Sequence, residues 1–133
     1  DIYKNKKEAK AIVHAHSTFA TALSTHNKGI PSFHYMVALA GGHDIKCAKY
    51  ATYGTRELSR NILKALKNRS ACLISNHGQI VFGNNLDEAF ELAEEVDNLA
   101  KQYMKALTIG RPKILSVNEM KKVLVKSRNY KRR

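Results

Sequence analysis

Residues 10–17 read KAIVHAHS and predict the first β-strand of the fold. As far as His16 the segment is mostly apolar and partly β-branched, which is typical of a strand that is at least half buried. Ser17 carries a side chain that helices favour at the N-cap position, so we expect a helix over residues 18–25. The segment therefore predicts a strand that passes directly into a helix.

Strands and helices continue to alternate after this segment. Further strands are predicted at residues 45–51, 70–75 and 80–83, which are rich in apolar and β-branched residues. Helices are predicted at residues 33–39, 56–66 and 86–107 and, after a capping pattern that begins at Ser116, as far as residue 125. The last two strands flank a tight connection at residues 76–79 and should form a hairpin. This alternation favours an α/β fold, and 133 residues is the usual length of one domain.

The composition of the chain is that of a globular protein. Hydrophobic residues make up 44% of the chain and charged residues 26%. No apolar run approaches the ~20 residues that span a bilayer, so we expect no membrane partner. The two cysteines, Cys47 and Cys72, form no paired motif and follow no secretory signal, which favours reduced thiols and a cytoplasmic location.

The formal net charge is +12, from 23 Lys and Arg residues against 11 Asp and Glu residues. The basic residues are spread along the chain and are densest in residues 126–133. A solvated basic surface explains this distribution, and such a surface can also attract a small anionic substrate. A nucleic-acid arm at the C-terminus is the alternative, but no nucleic-acid motif accompanies the charge. We therefore expect no nucleic-acid partner.

Three histidines have the spacing of a metal site. His14 and His16 are two residues apart in a predicted strand, so their side chains project from the same face and can bind one ion together. His77, in a Gly-flanked turn after another strand, is the candidate third ligand, and catalytic zinc typically has three protein ligands and one open position. Taken alone, a His-x-His pair is also compatible with two unrelated histidines at the surface or in the core.

Tyr35 is the candidate proton donor. A tyrosine near a metal can donate a proton to a reacting oxygen, although a single tyrosine is more often an amphipathic core residue. Tyr35 follows His34, whose role the pattern leaves open, whereas His26 and His43 are expected to be exposed in connecting segments.

Four separated motifs occur in order along the chain. They are AIVHAHS at residues 11–17, IPSFHYM at 30–36 with the glycine pair at 41–42, YATYGTREL at 50–58 and NHG at 76–78. In this order they resemble the class II aldolase and adducin family, and in particular its aldolases that cleave L-fuculose 1-phosphate. The likeness extends from the first strand to Tyr130, nearly the whole chain, which makes it more specific than the histidines alone.

The resemblance implies a three-layer α/β/α fold around a central, mostly antiparallel sheet. It also implies a homotetramer with active sites at its subunit interfaces. The residues that match the family's zinc ligands are His14, His16 and His77. Tyr35 matches the tyrosine that reaches the neighbouring subunit's site as proton donor to the aldehyde oxygen, and Tyr130 matches a tyrosine in a C-terminal tail that helps to close the site.

The implied activity is that of a lyase. It is zinc-dependent, reversible retro-aldol cleavage of L-fuculose 1-phosphate to dihydroxyacetone phosphate and L-lactaldehyde, with zinc as Lewis acid and a carboxylate and a tyrosine as proton-transfer groups. A related sugar-phosphate enzyme such as L-ribulose-5-phosphate 4-epimerase is one alternative, against which the residues around Tyr35 favour the aldolase. A metal-free interaction domain like that of adducin is another, and the presence of all three candidate ligands argues against it.

One part of the family's active site has no match in the sequence. The family's catalytic glutamate lies in a Ser-Ser-Glu motif upstream of the first zinc histidines, and its phosphate-binding loops lie further upstream. Glu8 lacks the flanking serines and is too close to His14 to take this role. We therefore expect residues 1–133 to be a single, N-terminally incomplete domain, the C-terminal portion of a longer aldolase, and to be inactive alone.

Overall fold

The computed structural model describes residues 1–131, with side chains as far as Asn129. The helices are α1 (Ile2–Asn5), α2 (Thr18–Ser24), α3 (Arg56–Ala65), α4 (Leu86–Ile109) and α5 (Val117–Lys131), with a 3-10 helix at Tyr35–Ala40. The strands are β1 (Ala11–Ala15), β2 (Lys46–Ala48), β3 (Ala71–Ile74) and β4 (Gly78–Gly83). In this described part of the chain, no helix is both long enough and apolar enough to cross a membrane.

The strands form one four-stranded mixed sheet in the order β1-β4-β3-β2. β4 pairs antiparallel with β1 and with β3, and β2 pairs parallel with β3. Because strand side chains alternate between faces, an apolar cluster forms on each side of the sheet. Helices α2, α4 and α5 pack on the face that presents Leu73 and Val81, and α1 and α3 pack on the face that presents Cys72 and Ile74. The expected α/β/α layering around a mostly antiparallel sheet is confirmed.

The start of α2 depends on a distant helix. Side-chain oxygens cap α3 and α4, as is usual for N-cap residues. Ser17, the predicted cap of α2, forms no such bond. Instead Asp97 of α4 accepts hydrogen bonds from the backbone N–H groups of Phe19 (3.0 Å) and Ala20 (2.8 Å). The Ser17 hydroxyl can therefore bond elsewhere.

Several predicted boundaries are wrong. The strand expected at 45–51 is confined to Lys46–Ala48, and the chain beyond it leaves the sheet with Lys49 and Tyr50 exposed. The helix expected to end at residue 125 continues to Lys131, since no Gly or Pro interrupts it and basic residues stabilise the negative end of a helix dipole. The short helix expected at 33–39 is the 3-10 helix, and α1 was not predicted at all.

A largely buried ion pair joins the loop before β2 to the loop before β3. The Arg69 guanidinium donates to the Asp44 carboxylate, and Arg69 Nε also donates to the Asp44 carbonyl oxygen (2.9 Å). Lys46 Nζ lies 2.8 Å from the second carboxylate oxygen. Burial acts to raise the pKa of Asp44, but the hydrogen bonds from Lys46 and Arg69 outweigh burial and hold this pKa below its usual value.

We expect Asp44→Asn to lower the free energy of unfolding by about 1–3 kcal/mol at neutral pH, because a charged acceptor is lost from a largely buried pair. The folded pKa lies below the unfolded value near 3.8, so the carboxylate stabilises the fold fully above that value and loses this effect as the pH falls through the folded pKa. Urea unfolding of both proteins at decreasing pH should show the difference between them shrinking in acid.

Glu94→Gln is the matched control for this measurement, because Glu94 is exposed and its substitution makes the same change of charge. The control should unfold like the unmutated protein at neutral pH. A difference between Asp44→Asn and the unmutated protein that stayed constant into acid would contradict the role given to the ion pair.

Candidate metal centre

Strand β1 and the hairpin between β3 and β4 bring the three histidines together. His14 lies on β1 and His16 directly after it, on the same face of the strand. His77 lies in the hairpin turn that joins β3 to β4. The register pairs His14 with Ile80 of β4, so the end of β1 lies beside this turn.

The turn depends on the two residues that flank His77. Asn76 has a φ of 54°, a left-handed conformation that asparagine tolerates better than most residues. A Cβ at Gly78 would lie 2.3 Å from the Ala15 carbonyl oxygen, so only glycine lets β1 approach this closely. The Asn76 N–H also donates to the carbonyl oxygen of Ser24, at the end of α2 (3.2 Å). The local sequence therefore holds the His77 backbone against β1.

The three imidazole rings form a nearly equilateral triangle. The ring centroids of His14 and His16 are 5.0 Å apart, and each lies 4.9 Å from that of His77. One nitrogen of each ring lies within 4.8 Å of the corresponding nitrogens of the other two. His14 and His16 are exposed, so three nitrogen donors converge at a place that solvent and small molecules can reach.

The surroundings of the rings favour nitrogen atoms with free lone pairs. His14 Nδ1 lies 2.8 Å from the Gln79 carbonyl oxygen, and because a carbonyl can only accept, Nδ1 is the protonated nitrogen of the neutral ring and Nε2 is the one with the free lone pair. Burial lowers the pKa of His77, and positive charge on His14 or His16 lowers it further. His77 is therefore neutral at neutral pH. Three imidazoles with one open side match the ligand set of catalytic zinc, so these residues fit that ion.

Tyr35 and Glu8 make their contacts elsewhere in the described part of the chain. Tyr35 begins the 3-10 helix, is 54% exposed and stacks on His34 with ring centroids 4.9 Å apart. The side chain of Tyr130 lies outside the described residues. Glu8 forms an ion pair with Lys6 (3.8 Å) and is not part of the histidine cluster.

Sequence reasoning missed Gln79, whose side chain lies on the opposite face of the sheet from the histidines. This side chain is 1% exposed, and its Nε2 donates to Ser17 Oγ (2.8 Å) and to the carbonyl oxygen of Ala93 in α4 (2.9 Å). The signal in the sequence is a single amide in the strand GQIVFG. A polar residue inside a buried strand indicates a hydrogen-bond network rather than packing alone.

The sequence is similar to those of several aldolases. A 5-methylthioribulose-1-phosphate/5-deoxyribulose-1-phosphate aldolase of Rhodospirillum rubrum is 48% identical over 130 residues, and an L-fuculose phosphate aldolase of Escherichia coli K12 is 47% identical over 129 residues. These alignments cover 98% and 96% of this chain but only 59% and 60% of the relatives. The chain therefore spans about 60% of the length of the curated relatives that it matches.

The fold is similar to that of a solved L-fuculose 1-phosphate aldolase. The TM-score is 0.92 at 42% sequence identity, and the match covers 96% of this chain and 59% of the other. Residues 1–104 match the family described as the Class II Aldolase and Adducin N-terminal domain. The order of motifs, the layered fold and this match lead to one conclusion: the chain belongs to the class II aldolase and adducin family.

Proposed function

We propose that the chain carries the metal-binding part of a class II aldolase, a zinc-dependent lyase that cleaves sugar phosphates by a reversible retro-aldol reaction. The observation that carries this proposal is the triangle of His14, His16 and His77 in a chain of this family. A metal-free interaction domain gains nothing from three convergent imidazoles at an exposed position. The cluster therefore favours a catalytic member over an adducin-like one.

The names of the relatives support ketose 1-phosphates as the substrate class. L-Fuculose 1-phosphate, 5-deoxyribulose 1-phosphate and 5-methylthioribulose 1-phosphate share their first three carbons, which retro-aldol cleavage would release as dihydroxyacetone phosphate. They differ in the second product, a small aldehyde, which is L-lactaldehyde for fuculose. L-Fuculose 1-phosphate is our first candidate. The pentulose phosphates are the second, because a relative with that name is as similar to this chain as the fuculose enzyme is.

Each residue of the proposed site has a stated task. The bound metal ion would supply Lewis-acid stabilisation of the negative charge that develops on substrate oxygens as the carbon–carbon bond breaks. His14, His16 and His77 would hold the ion and leave one side open to the substrate. A glutamate base, which the resemblance implies, would come from a Ser-Ser-Glu segment that this sequence does not contain.

The proposal assigns proton transfer at the aldehyde oxygen to Tyr35 of a neighbouring subunit. Its 54% exposure supports this assignment, because the side chain is free to reach a neighbouring subunit. Tyr130 would help to close the site. The proposed assembly is a cytoplasmic homotetramer with active sites at its interfaces.

The test is a coupled assay of dihydroxyacetone phosphate release by the full-length protein, with metal content measured in parallel. We expect about one zinc ion per chain and turnover of at least one of the three ketose 1-phosphates. A chelator should abolish release, and added Zn²⁺ should restore it. Undiminished release by metal-free protein would overturn the proposal, and epimerisation of L-ribulose 5-phosphate without release would favour the epimerase instead.

A further inference from the structure

We propose that Gln79 is a positioning residue for the metal centre, because it is linked to each of the three segments that carry the histidine ligands. This inference rests on the metal-binding function proposed for the site. Gln79 acts in two ways, through its main-chain carbonyl oxygen and through its buried side-chain amide.

The main-chain carbonyl of Gln79 orients His14. It accepts the Nδ1 proton of the His14 ring over 2.8 Å, which fixes the tautomer that presents Nε2 as a ligand. The His14 side chain is exposed, so packing does not enclose its ring. Its orientation therefore depends on where the Gln79 carbonyl lies.

The side chain of Gln79 anchors the segment that carries His16. Its Nε2 donates to Ser17 Oγ (2.8 Å), in the residue directly after His16. The same Nε2 donates to the Ala93 carbonyl oxygen (2.9 Å), on the long helix α4. Ser17 can accept this bond because Asp97, and not Ser17, caps helix α2. One amide group thus fixes the end of β1 to a helix.

Gln79 also follows the third ligand closely in the chain. Only Gly78 separates it from His77, and its backbone pairs with Ala15 of β1 and Leu73 of β3. A shift of Gln79 within the sheet would therefore move the His77 turn, the His14 partner and the anchor of Ser17 together.

The amide side chain of Gln79 also destabilises the fold through one of its atoms. Gln79 Oε1 is buried and has no hydrogen-bond partner among the described residues. A buried acceptor without a partner destabilises a fold, and an apolar side chain of similar volume would avoid this effect. We therefore infer that the Nε2 group of the amide has a role that offsets this destabilisation. Its two hydrogen bonds show that this role is to link Ser17 to α4.

The test compares Gln79→Leu with the unmutated full-length protein loaded with Co²⁺. Metal affinity is measured by competition with a chromophoric chelator, and ligand geometry by the visible absorption bands of the bound Co²⁺. We expect Gln79→Leu to bind Co²⁺ at least about tenfold more weakly, with shifted bands, at temperatures where circular dichroism shows it folded.

Ser32→Ala is the matched control, because Ser32 is 5% exposed and its hydroxyl donates to the Leu115 carbonyl oxygen (2.8 Å) without any link to the histidines. It should lose stability and keep both affinity and spectrum. Ser17→Ala removes only the acceptor of the Gln79 amide and should give a smaller change of the same kind. If Gln79→Leu does not fold, the metal affinity and spectrum of Ser17→Ala test the positioning role instead.

The outcomes separate this inference from the proposed function. Unchanged affinity and bands in a folded Gln79→Leu, or in Ser17→Ala where Gln79→Leu does not fold, would overturn the positioning role, although the site would remain a metal site. Failure of the unmutated protein to bind Co²⁺ would overturn the proposed function, and this inference with it.

Discussion

In the full-length protein, His77→Ala is expected to abolish measurable retro-aldol turnover, and to weaken metal binding by at least about a thousandfold. Removing a residue that only hydrogen-bonds a metal ligand lowers metal affinity by ~10–100-fold. The loss of affinity in His77→Ala should be larger, because one of the three ligands itself is removed. His14 and His16 would remain on β1, but two imidazoles leave the ion with too few protein ligands for a catalytic zinc site. Metal content after dialysis and release of dihydroxyacetone phosphate measure the two effects.

His26→Ala is the control for this variant, because His26 is also an imidazole but is exposed and lies outside the cluster. It should keep its metal and its turnover. Without metal, His77→Ala should unfold at nearly the same temperature as the unmutated protein, since its ring is only partly buried. Full turnover by a metal-loaded His77→Ala would remove His77 from the site.

Tyr35→Phe is expected to lower turnover by about 10²–10⁴-fold, the range for loss of a positioned general acid. The metal content should not change, because the substitution leaves all three proposed ligands, His14, His16 and His77, in place. Phenylalanine keeps the ring that stacks on His34, so the substitution removes little but the hydroxyl group. The measurement is turnover at saturating substrate, with metal content determined on the same sample.

Mixed oligomers test whether Tyr35 serves its own subunit or a neighbour. Tyr35→Phe chains keep the histidines, and His77→Ala chains keep the tyrosine. In a cyclic tetramer assembled from equal amounts of both, about a quarter of the interfaces would combine an intact metal centre with an intact tyrosine from the neighbour. Co-expression should therefore restore activity to about that fraction. Mixed oligomers as inactive as the two parents would show that Tyr35 does not act across an interface.

Local sequence patterns predicted much of the fold and the convergence of the three histidines. The spacing of His14 and His16 identifies a shared face because strand side chains alternate with a period of two. The glycine after His77 marks the turn, and the capping pattern that begins at Ser116 marks the start of α5, where the Glu119 N–H donates to Ser116 Oγ. Each of these signals depends on residues that are close together in the chain.

The features that the sequence did not reveal depend on contacts between distant segments. Helix α2 is capped by Asp97 from α4, so its neighbouring residues give no indication of the bond. The role of Gln79 depends on Ser17 and Ala93, which lie near it only after β1 and α4 have packed on the sheet. The order of strands is likewise a property of the packed layers.

The antiparallel register of β1 and β4 links metal binding to the order of folding. Helices α2 and α3 and strands β2 and β3 all lie between the two paired strands in the chain. An ion held by both His14 and His77 would therefore stabilise the folded state, because the unfolded chain would have to close a long loop to offer both ligands to one ion. A chain in which β1 has not yet docked offers only the local His14 and His16 pair. High-affinity metal binding would thus show that β1 has paired with β4, the two paired strands that are farthest apart in the chain.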